Sequence, residues 1–197
     1  METKYLSRKE KLSFTVAAFG RSGIYTIMTM FYMVFLVDVV FQGMKNAGVT
    51  ASTIIVAGRI FDAANDPIMG MIVDRTRTKW GKMRPYLLFS PIPIAITTIL
   101  LFWAPGFASS GAKIAYAAVT YILWGVMFTI QDVPFWGLSA VITPNEQERT
   151  SFLSTARLGS TFGGILPSLL IPVLRNSTLG LKNGYLVGAV IFALLGA

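Results

Sequence analysis

The chain has 197 residues, of which 54% are hydrophobic and only 13% are charged. A soluble domain usually carries about 25% charged residues, so this composition leaves too little polar surface for a water-facing globule. The sequence has no cysteine and no histidine, which excludes thiolate or imidazole metal sites and catalysis that needs either residue. The class that remains is an all-α membrane protein.

Six apolar segments predict membrane-spanning helices, because a span needs roughly 20 mostly apolar residues. In chain order they cover residues 12–41, 51–73, 86–103, 114–138, 152–174 and 185–197. The sixth is too short to cross. We therefore expect residues 1–197 to form an N-terminal six-helix transmembrane bundle, with its last helix truncated and a C-terminal half absent. Thr143, with Pro144 and Glu146 after it, predicts a capping box at the start of the fifth helix.

The net charge of +8 reflects two basic segments and predicts topology, not nucleic-acid binding. Four basic residues precede the first span, and five lie at residues 74–85, between the second and third spans. Lys and Arg are enriched in cytoplasmic loops. We therefore predict an integral protein of the cell membrane, the inner membrane of a bacterium, with a cytoplasmic N-terminus. Arg175 and Lys182 lie on the opposite side, against this rule.

Charged residues also lie inside the apolar spans, where each costs about 2.5–3.5 kcal/mol even on insertion scales. They must pair with one another or line a hydrated cavity. Arg59, Asp62 and Asp66 share one helix face by their spacing. Two carboxylates so placed repel unless a cation or a shared proton lies between them. The alternative is a buried ion-pair cluster. The six residues are Arg21, Arg59, Asp62, Asp66, Asp132 and Arg157.

Asp132 lies in the fourth span beside Pro134, which removes a backbone hydrogen bond and predicts a kink. Transporters place binding sites at such broken helices. Thr129 lies one turn before Asp132, and Trp136 lies one turn after it. A carboxylate and a flat ring on one face suit a sugar, although Trp136 could instead be a membrane-interface anchor. Arg21 could donate to substrate hydroxyls or serve only as the counter-ion of Asp132.

Three stretches resemble the glycoside–pentoside–hexuronide:cation symporters, the melibiose-permease family of the major facilitator superfamily. The segment RIFDAANDPIMGMIVDRTRTKWGKMRPYLL resembles that family's second helix and the loop after it. The segment TYILWGVMFTIQDVPFWGL resembles its fourth helix, while AAFGRS and ARLGSTFGG agree more loosely. The resemblance covers nearly the whole chain and implies the N-terminal, six-helix half of a twelve-helix facilitator.

The resemblance also implies roles for individual residues. It implies cation binding by Asp62, Asp66, Asn65 and Thr129, with Asp62 and Asp66 holding the metal if the cation is Na⁺. It implies substrate binding by Asp132, Trp136 and Arg157, together with Arg21, Ser22 and Phe128. Ser22 and Phe128 replace a family aspartate and tyrosine. Arg21 without an acidic neighbour could accept an anionic sugar. A conformational loop is implied at Gly70, Asp74, Arg75 and Arg77.

We therefore expect a secondary active transporter that couples sugar, glycoside or hexuronide uptake to a cation. Na⁺, Li⁺ and H⁺ all remain open, and no cofactor is expected besides that cation. The expected partners are a small-molecule sugar, the cation and membrane lipid, without nucleic acid. Two alternatives remain: a facilitator-type carrier of an amphiphile or drug, and a membrane sensor that transports nothing. An enzyme is not expected, because no nucleophile motif is present.

Overall fold

Apolar helices of nearly membrane length follow one another along the chain in the computed structural model, which describes residues 6–107 and 109–196. In these two ranges every regular element is helical, as the all-α prediction required. The helices are α1 (Arg8–Val40), α2 (Ala47–Arg75), α3 (Arg84–Phe89), α4 (Pro91–Leu101), α5 (Ser110–Val141), α6 (Glu146–Arg175) and α7 (Gly180–Gly196).

Four of these helices, α1, α2, α5 and α6, are long and apolar enough to cross a membrane. Two more, α4 and α7, are apolar but shorter. The observed helices extend beyond the predicted apolar segments by two to six residues at most ends. The reason is that polar residues such as those at the start of α6 continue a helix past its apolar part. The sixth helix, α7, likewise begins at Gly180 instead of residue 185.

Helix α1 begins with a capping box that was not predicted. The amide of Glu10 donates to Ser7 Oγ at 3.2 Å, and the amide of Ser7 donates to Glu10 Oε2 at 2.8 Å. Two π-helical turns, Ile27–Phe31 and Leu36–Val40, interrupt the α-helix. Such turns are rare and often lie near functional sites.

The third predicted span is divided into α3 and α4 at Ser90, where a single helix was expected. The cause is local, because Pro91 and Pro93 have no amide hydrogen and a proline ring clashes with the preceding turn. Backbone hydrogen bonds resume on each side, from Ser90 to Tyr86 and from Ile94 to Ser90. Pro134 has no such effect, since α5 stays helical on both sides of it.

The corner between α5 and α6 corrects the predicted helix start by two residues. Asn145, and not Thr143, caps α6, and its side chain accepts from the amides of Gln147 and Glu148. Thr143 instead donates its hydroxyl to the buried carboxylate of Glu148 at 3.0 Å. The same carboxylate accepts the amide of Leu6 at 3.1 Å and lies 3.6 Å from Lys11 Nζ. Glu148 thus ties the chain before α1 to the start of α6.

The helices pack so that α1 lies against α6 and α7, α2 against α5, and α4 against both α5 and α7. Glycines allow the closest of these approaches. A Cβ on Gly159 would lie 2.6 Å from the carbonyl oxygen of Thr15, and one on Gly163 would overlap Phe19. Aromatic residues fill the space between the other helices, among them Tyr32, Phe102 and Trp124.

The two ends of the bundle are closed by different contacts. At the end opposite Glu148, Arg175 Nη2 lies 3.8 Å from Asp38 Oδ2 and Arg175 Nη1 donates to the hydroxyl of Tyr185 at 3.1 Å. Arg175, which ran against the topology rule, therefore has a local carboxylate partner. Helices α2 and α6 are the least buried of the long helices and expose apolar side chains such as Ile60 and Leu169. Such surfaces suit lipid or a further apolar partner.

Candidate functional site

A cavity of about 230 Å³ lies between α1 and α5. Each helix turns one face toward it, because residues three or four apart lie on the same side of a helix. It is lined by Arg21, Ser22 and Tyr25 from α1 and by Phe128, Asp132 and Trp136 from α5. Five of these six residues are among those predicted to bind substrate.

Arg21 and Asp132 form an ion pair across this cavity. Arg21 is 7% exposed, and its Nη1 donates to Oδ1 of Asp132. The Asp132 side chain keeps 35% of its surface exposed, so the carboxylate still faces open space. Breaking a buried pair by removing one partner leaves an uncompensated charge and is strongly unfavourable. The pair therefore fixes α1 relative to α5 at this depth.

Three aromatic rings surround the guanidinium of Arg21. Its Cζ lies 5.6 Å from the ring centroid of Phe128, 4.9 Å from that of Phe135 and 5.1 Å from that of Trp136. Ring faces attract cations at such distances, more strongly where water is excluded. Trp136 thus belongs to the cavity wall in this structure. The cavity therefore offers a substrate the charged groups of Arg21 and Asp132 on one side and the apolar ring of Trp136 on another.

A second polar cluster joins α2 to α5 next to the cavity. Thr129 is buried, and its hydroxyl donates to Oδ1 of Asp66 at 2.9 Å. Asp62 is half-buried, with Oδ2 3.9 Å from Nη1 of Arg59. A Cβ on Gly125 would lie 2.5 Å from Oδ1 of Asp62, so the carboxylate rests directly on the α5 backbone.

Both carboxylates of α2 therefore contact α5, and they do so from the single helix face that their spacing predicted. Asn65 lies on the same helix between them and is half-buried, with no hydrogen bond from its side chain within residues 6–107 and 109–196. Across the described part of the chain, no three acidic side chains converge as a metal-binding group. The side-chain oxygens that lie at this contact are those of the two carboxylates and the Thr129 hydroxyl.

Arg157 is the predicted substrate-binding residue that the structure does not bring to the cavity. Its side chain is exposed on α6. Helix α6 packs against α1 through the face that carries Ala156, Gly159 and Gly163. Arg157 lies on a different face of this helix. The described residues also include no carboxylate within ion-pair distance of Arg157. The alternative of one buried cluster joining all three arginines to the aspartates thus does not describe the arrangement.

One ion pair involves the residues of the predicted conformational loop in the part of the chain that the structure describes. Asp74, in the last turn of α2, lies 3.9 Å from Lys82 in the loop that follows, and both side chains are largely exposed. Arg75 and Arg77 are exposed and make no ion pair among the described residues. Gly70 is half-buried, and a Cβ added to it would meet nothing within 4 Å.

Tyr25 and Phe135 belong to the site but were not predicted. Tyr25 lines the cavity, and Phe135 lies beneath the Arg21 guanidinium. Tyr25 lies four residues after Arg21, so the helical repeat alone could have placed it on the same face. Phe135 gives no such signal, because its contact depends on how α1 and α5 are packed.

Comparisons with known proteins agree with this architecture. The family model described as MFS/sugar transport protein matches residues 13–197. The inner membrane symporter YicJ of Escherichia coli is 34% identical over 197 residues, covering 97% of this chain and 42% of that protein. The putative glycoside/cation symporter YagG of Escherichia coli is 41% identical over 126 residues, covering 64% and 26%. The isoprimeverose transporter of Lactiplantibacillus pentosus is 30% identical over 194 residues, covering 94% and 39%.

The chain belongs to the MFS/sugar transport protein family, the glycoside–pentoside–hexuronide:cation symporters of the major facilitator superfamily. Its relatives are named as transporters and symporters, not enzymes. It is an integral membrane protein with the fold of a six-helix facilitator half. The chain spans about two fifths of the length of the relatives it matches along nearly all of its own length.

Proposed function

We propose that this chain forms the cation-binding side and one wall of the sugar-binding site in a cation-coupled symporter of a sugar, glycoside or hexuronide. The observation that carries the proposal is the position of both clusters on one helix. On α5, Thr129 bonds to Asp66 of α2, and Asp132 faces Arg21 of α1 one turn later. Asp132 follows Thr129 by only three residues on α5. A movement of α5 at one cluster therefore also moves the other cluster.

The cation acts by relieving repulsion between Asp62 and Asp66. A bound Na⁺, Li⁺ or H⁺ supplies the positive charge that Arg59, at 3.9 Å and half in solvent, supplies only to Asp62. With the α2 carboxylates neutralised, the Thr129 contact holds α5 in the position that presents Asp132 and Trp136. Because the coupling is a free energy between two sites, bound sugar must raise cation affinity by the same factor.

The sugar binds in the cavity between α1 and α5. Its hydroxyls donate to Asp132 and accept from Arg21, while its C–H face lies on the ring of Trp136. The carboxylate of an anionic sugar would bind the guanidinium of Arg21. The carrier then alternates access by moving one helical bundle against the other around this site. Arg157, exposed on α6, is free to join the site in another conformation.

Radiolabelled uptake by the natural full-length protein tests this proposal. A panel of glycosides and hexuronides is supplied with and without Na⁺, at several pH values. We expect uptake of at least one sugar to depend on the cation. Transport of an amphiphile or drug without any sugar uptake would favour the facilitator alternative and overturn the proposal.

Variants separate the two clusters. Asp132→Ala should abolish sugar binding while the protein still inserts into the membrane, because the cavity loses its hydroxyl acceptor and the partner of Arg21. Asp62→Asn and Asp66→Asn should abolish cation dependence. Glu146→Gln, an exposed change near the α6 start, is the matched control. Normal sugar affinity in Asp132→Ala refutes the substrate assignment, and unchanged ligand binding in both α2 variants favours a sensor.

A further inference from the structure

The cavity wall contains the phenol of Tyr25, whose hydroxyl takes no part in helix packing or in the Arg21–Asp132 ion pair. Tyr25 is 40% exposed and lies on the same face of α1 as Arg21 and Ser22. Its hydroxyl makes no hydrogen bond to any residue in the described ranges 6–107 and 109–196. The Ser22 hydroxyl, three residues earlier, is likewise without a hydrogen-bond partner there.

The other polar side chains named in the cavity wall carry charge, and they are paired with each other while Asp132 keeps exposed surface for a ligand. Arg21 and Asp132 bond to each other, and the guanidinium of Arg21 is surrounded by rings. The two hydroxyls of α1 are therefore the neutral polar groups left for a ligand. A hydroxyl can both donate and accept, which suits the hydroxyls of a sugar.

The ring of Tyr25 is held in place by a chain of aromatic contacts. It stacks on Phe128 with centroids 5.3 Å apart, and Phe128 stacks on Trp124 at 4.8 Å. Trp124 is fixed in turn, because its Nε1 donates to Thr98 Oγ1 at 3.0 Å. The phenol is thus preorganised, so binding a ligand hydroxyl does not require the ring to be ordered first.

Two other tyrosines use the phenol to join helices, whereas the hydroxyl of Tyr121, unpartnered in the described part of the chain, is buried and, unlike that of Tyr25, does not line the cavity. Tyr32 donates to the carbonyl of Ala117 at 3.0 Å, and Tyr116 donates to that of Leu100 at 2.7 Å. Each ties two helices together. Tyr25 ties nothing with its oxygen, and for packing alone a phenylalanine like Phe128 would serve equally well.

We infer that Tyr25 is a specificity-determining residue, whose hydroxyl, assisted by Ser22, binds a hydroxyl of a neutral sugar ring in this cavity. The inference rests on the proposed function and deepens it. In this arrangement the neutral hydroxyls of Tyr25 and Ser22 bind the sugar from α1, whereas Asp132 and Trp136 bind it from α5. A sugar lacking the matching hydroxyl leaves the fixed phenol without a partner, and sites built this way reject such analogues.

The test removes one oxygen atom from the protein and one from the sugar. Sugar affinity is measured by equilibrium titration on the purified full-length protein, for wild type, Tyr25→Phe and the control Tyr116→Phe. The ligands are the transported sugar and its series of monodeoxy analogues. We expect Tyr25→Phe to weaken binding of the parent sugar about threefold to tenfold, the range of one net hydrogen bond. Tyr116→Phe should leave sugar affinity unchanged.

The decisive comparison is between ligands. One monodeoxy analogue should bind wild type and Tyr25→Phe with equal affinity, because the interaction is already lost, whereas the other analogues should keep the difference. Measured in the absence of sugar, the cation concentration for half-maximal binding should not change. A uniform loss for every analogue would show a merely structural role and overturn the inference. Equal affinity of wild type and Tyr25→Phe for all ligands would also overturn it. A wild type that binds no sugar at all overturns the proposed function itself.

Discussion

At the scale of single residues, the position of Asp62 depends on the absence of a side chain at residue 125. Its Oδ1 lies where a Cβ on Gly125 would come within 2.5 Å, closer than real Cβ contacts allow. The carboxylate can therefore rest on α5 only while this residue is glycine. The position in turn sets the distance between Asp62 and the Thr129–Asp66 contact one turn further along α5.

Gly125→Ala should displace the Asp62 carboxylate and weaken the proposed cation site. We expect the cation concentration for half-maximal uptake to rise about tenfold, which corresponds to about 1.4 kcal/mol. The measurement is sugar uptake as a function of cation concentration. Gly137→Ala on the same helix is the control, because its Cβ would meet only the flexible end of Met83 at 2.9 Å. Equal cation dependence in the two variants would remove Asp62 from the cation site.

Glu148 is a buried carboxylate that holds the start of α1 and the start of α6 together. It accepts the amide of Leu6 and the hydroxyl of Thr143, with Lys11 Nζ at 3.6 Å. Glu148→Gln replaces a charged acceptor by a neutral amide, which weakens the bonds from Leu6 and Thr143 and removes the attraction to Lys11. We expect a loss of about 1–3 kcal/mol in the free energy of unfolding, the usual cost of leaving such a group poorly satisfied.

Thermal unfolding in detergent measures the effect of Glu148→Gln. The control is Glu146→Gln, since this exposed carboxylate only approaches Arg149 at 4.0 Å and surface changes usually stay within about 0.5 kcal/mol. Should both variants unfold at the wild-type temperature, Glu148 does not stabilise the end of the bundle.

At the scale of elements, the pairing of α1 with α6 is a contact between two backbones. Gly159 and Gly163 lie one turn apart, and each faces the α1 backbone, at Thr15 and Phe19 respectively. Helix association in lipid depends on close packing of small residues, because the apolar solvent provides little hydrophobic driving force between helices. This pair of helices is therefore more sensitive to one added methyl group than a pair separated by long side chains.

Gly163→Ala should separate α1 from α6, since its Cβ would overlap the carbonyl of Phe19. We expect a destabilisation of about 1–3 kcal/mol, the usual cost of overpacking, detected as a lower apparent melting temperature. Gly48→Ala in α2 is the control, because a Cβ there meets nothing within 4 Å and alanine favours the helix. A melting temperature of Gly163→Ala at or above that of Gly48→Ala would contradict the close-packing argument.

At the scale of the whole molecule, the contacts define two ends. The chain before α1 meets the α5–α6 corner through Glu148 at one end, and Asp38 meets Arg175 at the other. The basic loop of residues 76–83 lies at the same end as the start of α1, because α1 and α2 run in opposite directions. The positive-inside rule predicts that this end faces the cytoplasm.

The absence of cysteine from the sequence makes this orientation directly testable. A Thr178→Cys variant, in the exposed α6–α7 loop, should react in intact cells with a membrane-impermeant maleimide. A Thr78→Cys variant, in the basic loop, should react only after the cells are opened. Labelling of both variants is measured on the same expression background. The reverse pattern would place the N-terminus outside.

The all-helical class, the family and most helix positions could be predicted from sequence because each depends on local signals. An apolar stretch of sufficient length specifies a span wherever it packs, and the helical repeat fixes which residues share a face. The break at Ser90 was missed although Pro91 and Pro93 were visible, since prolines near a helix start are also tolerated. Pro134, inside a helix that continues, shows the same ambiguity.

The sequence by itself determined which side chains needed partners: charged groups in apolar helices cannot face lipid at acceptable cost. Only the tertiary structure decided which partners they found. It pairs Arg21 with Asp132, Asp66 with Thr129 and Arg175 with Asp38, and it leaves Arg157 exposed. The physical reason is that the helical repeat is a property of one segment, whereas a contact between helices depends on their relative rotation and depth. These are set by distant features such as the glycines of α6 and the aromatic residues beneath Tyr25.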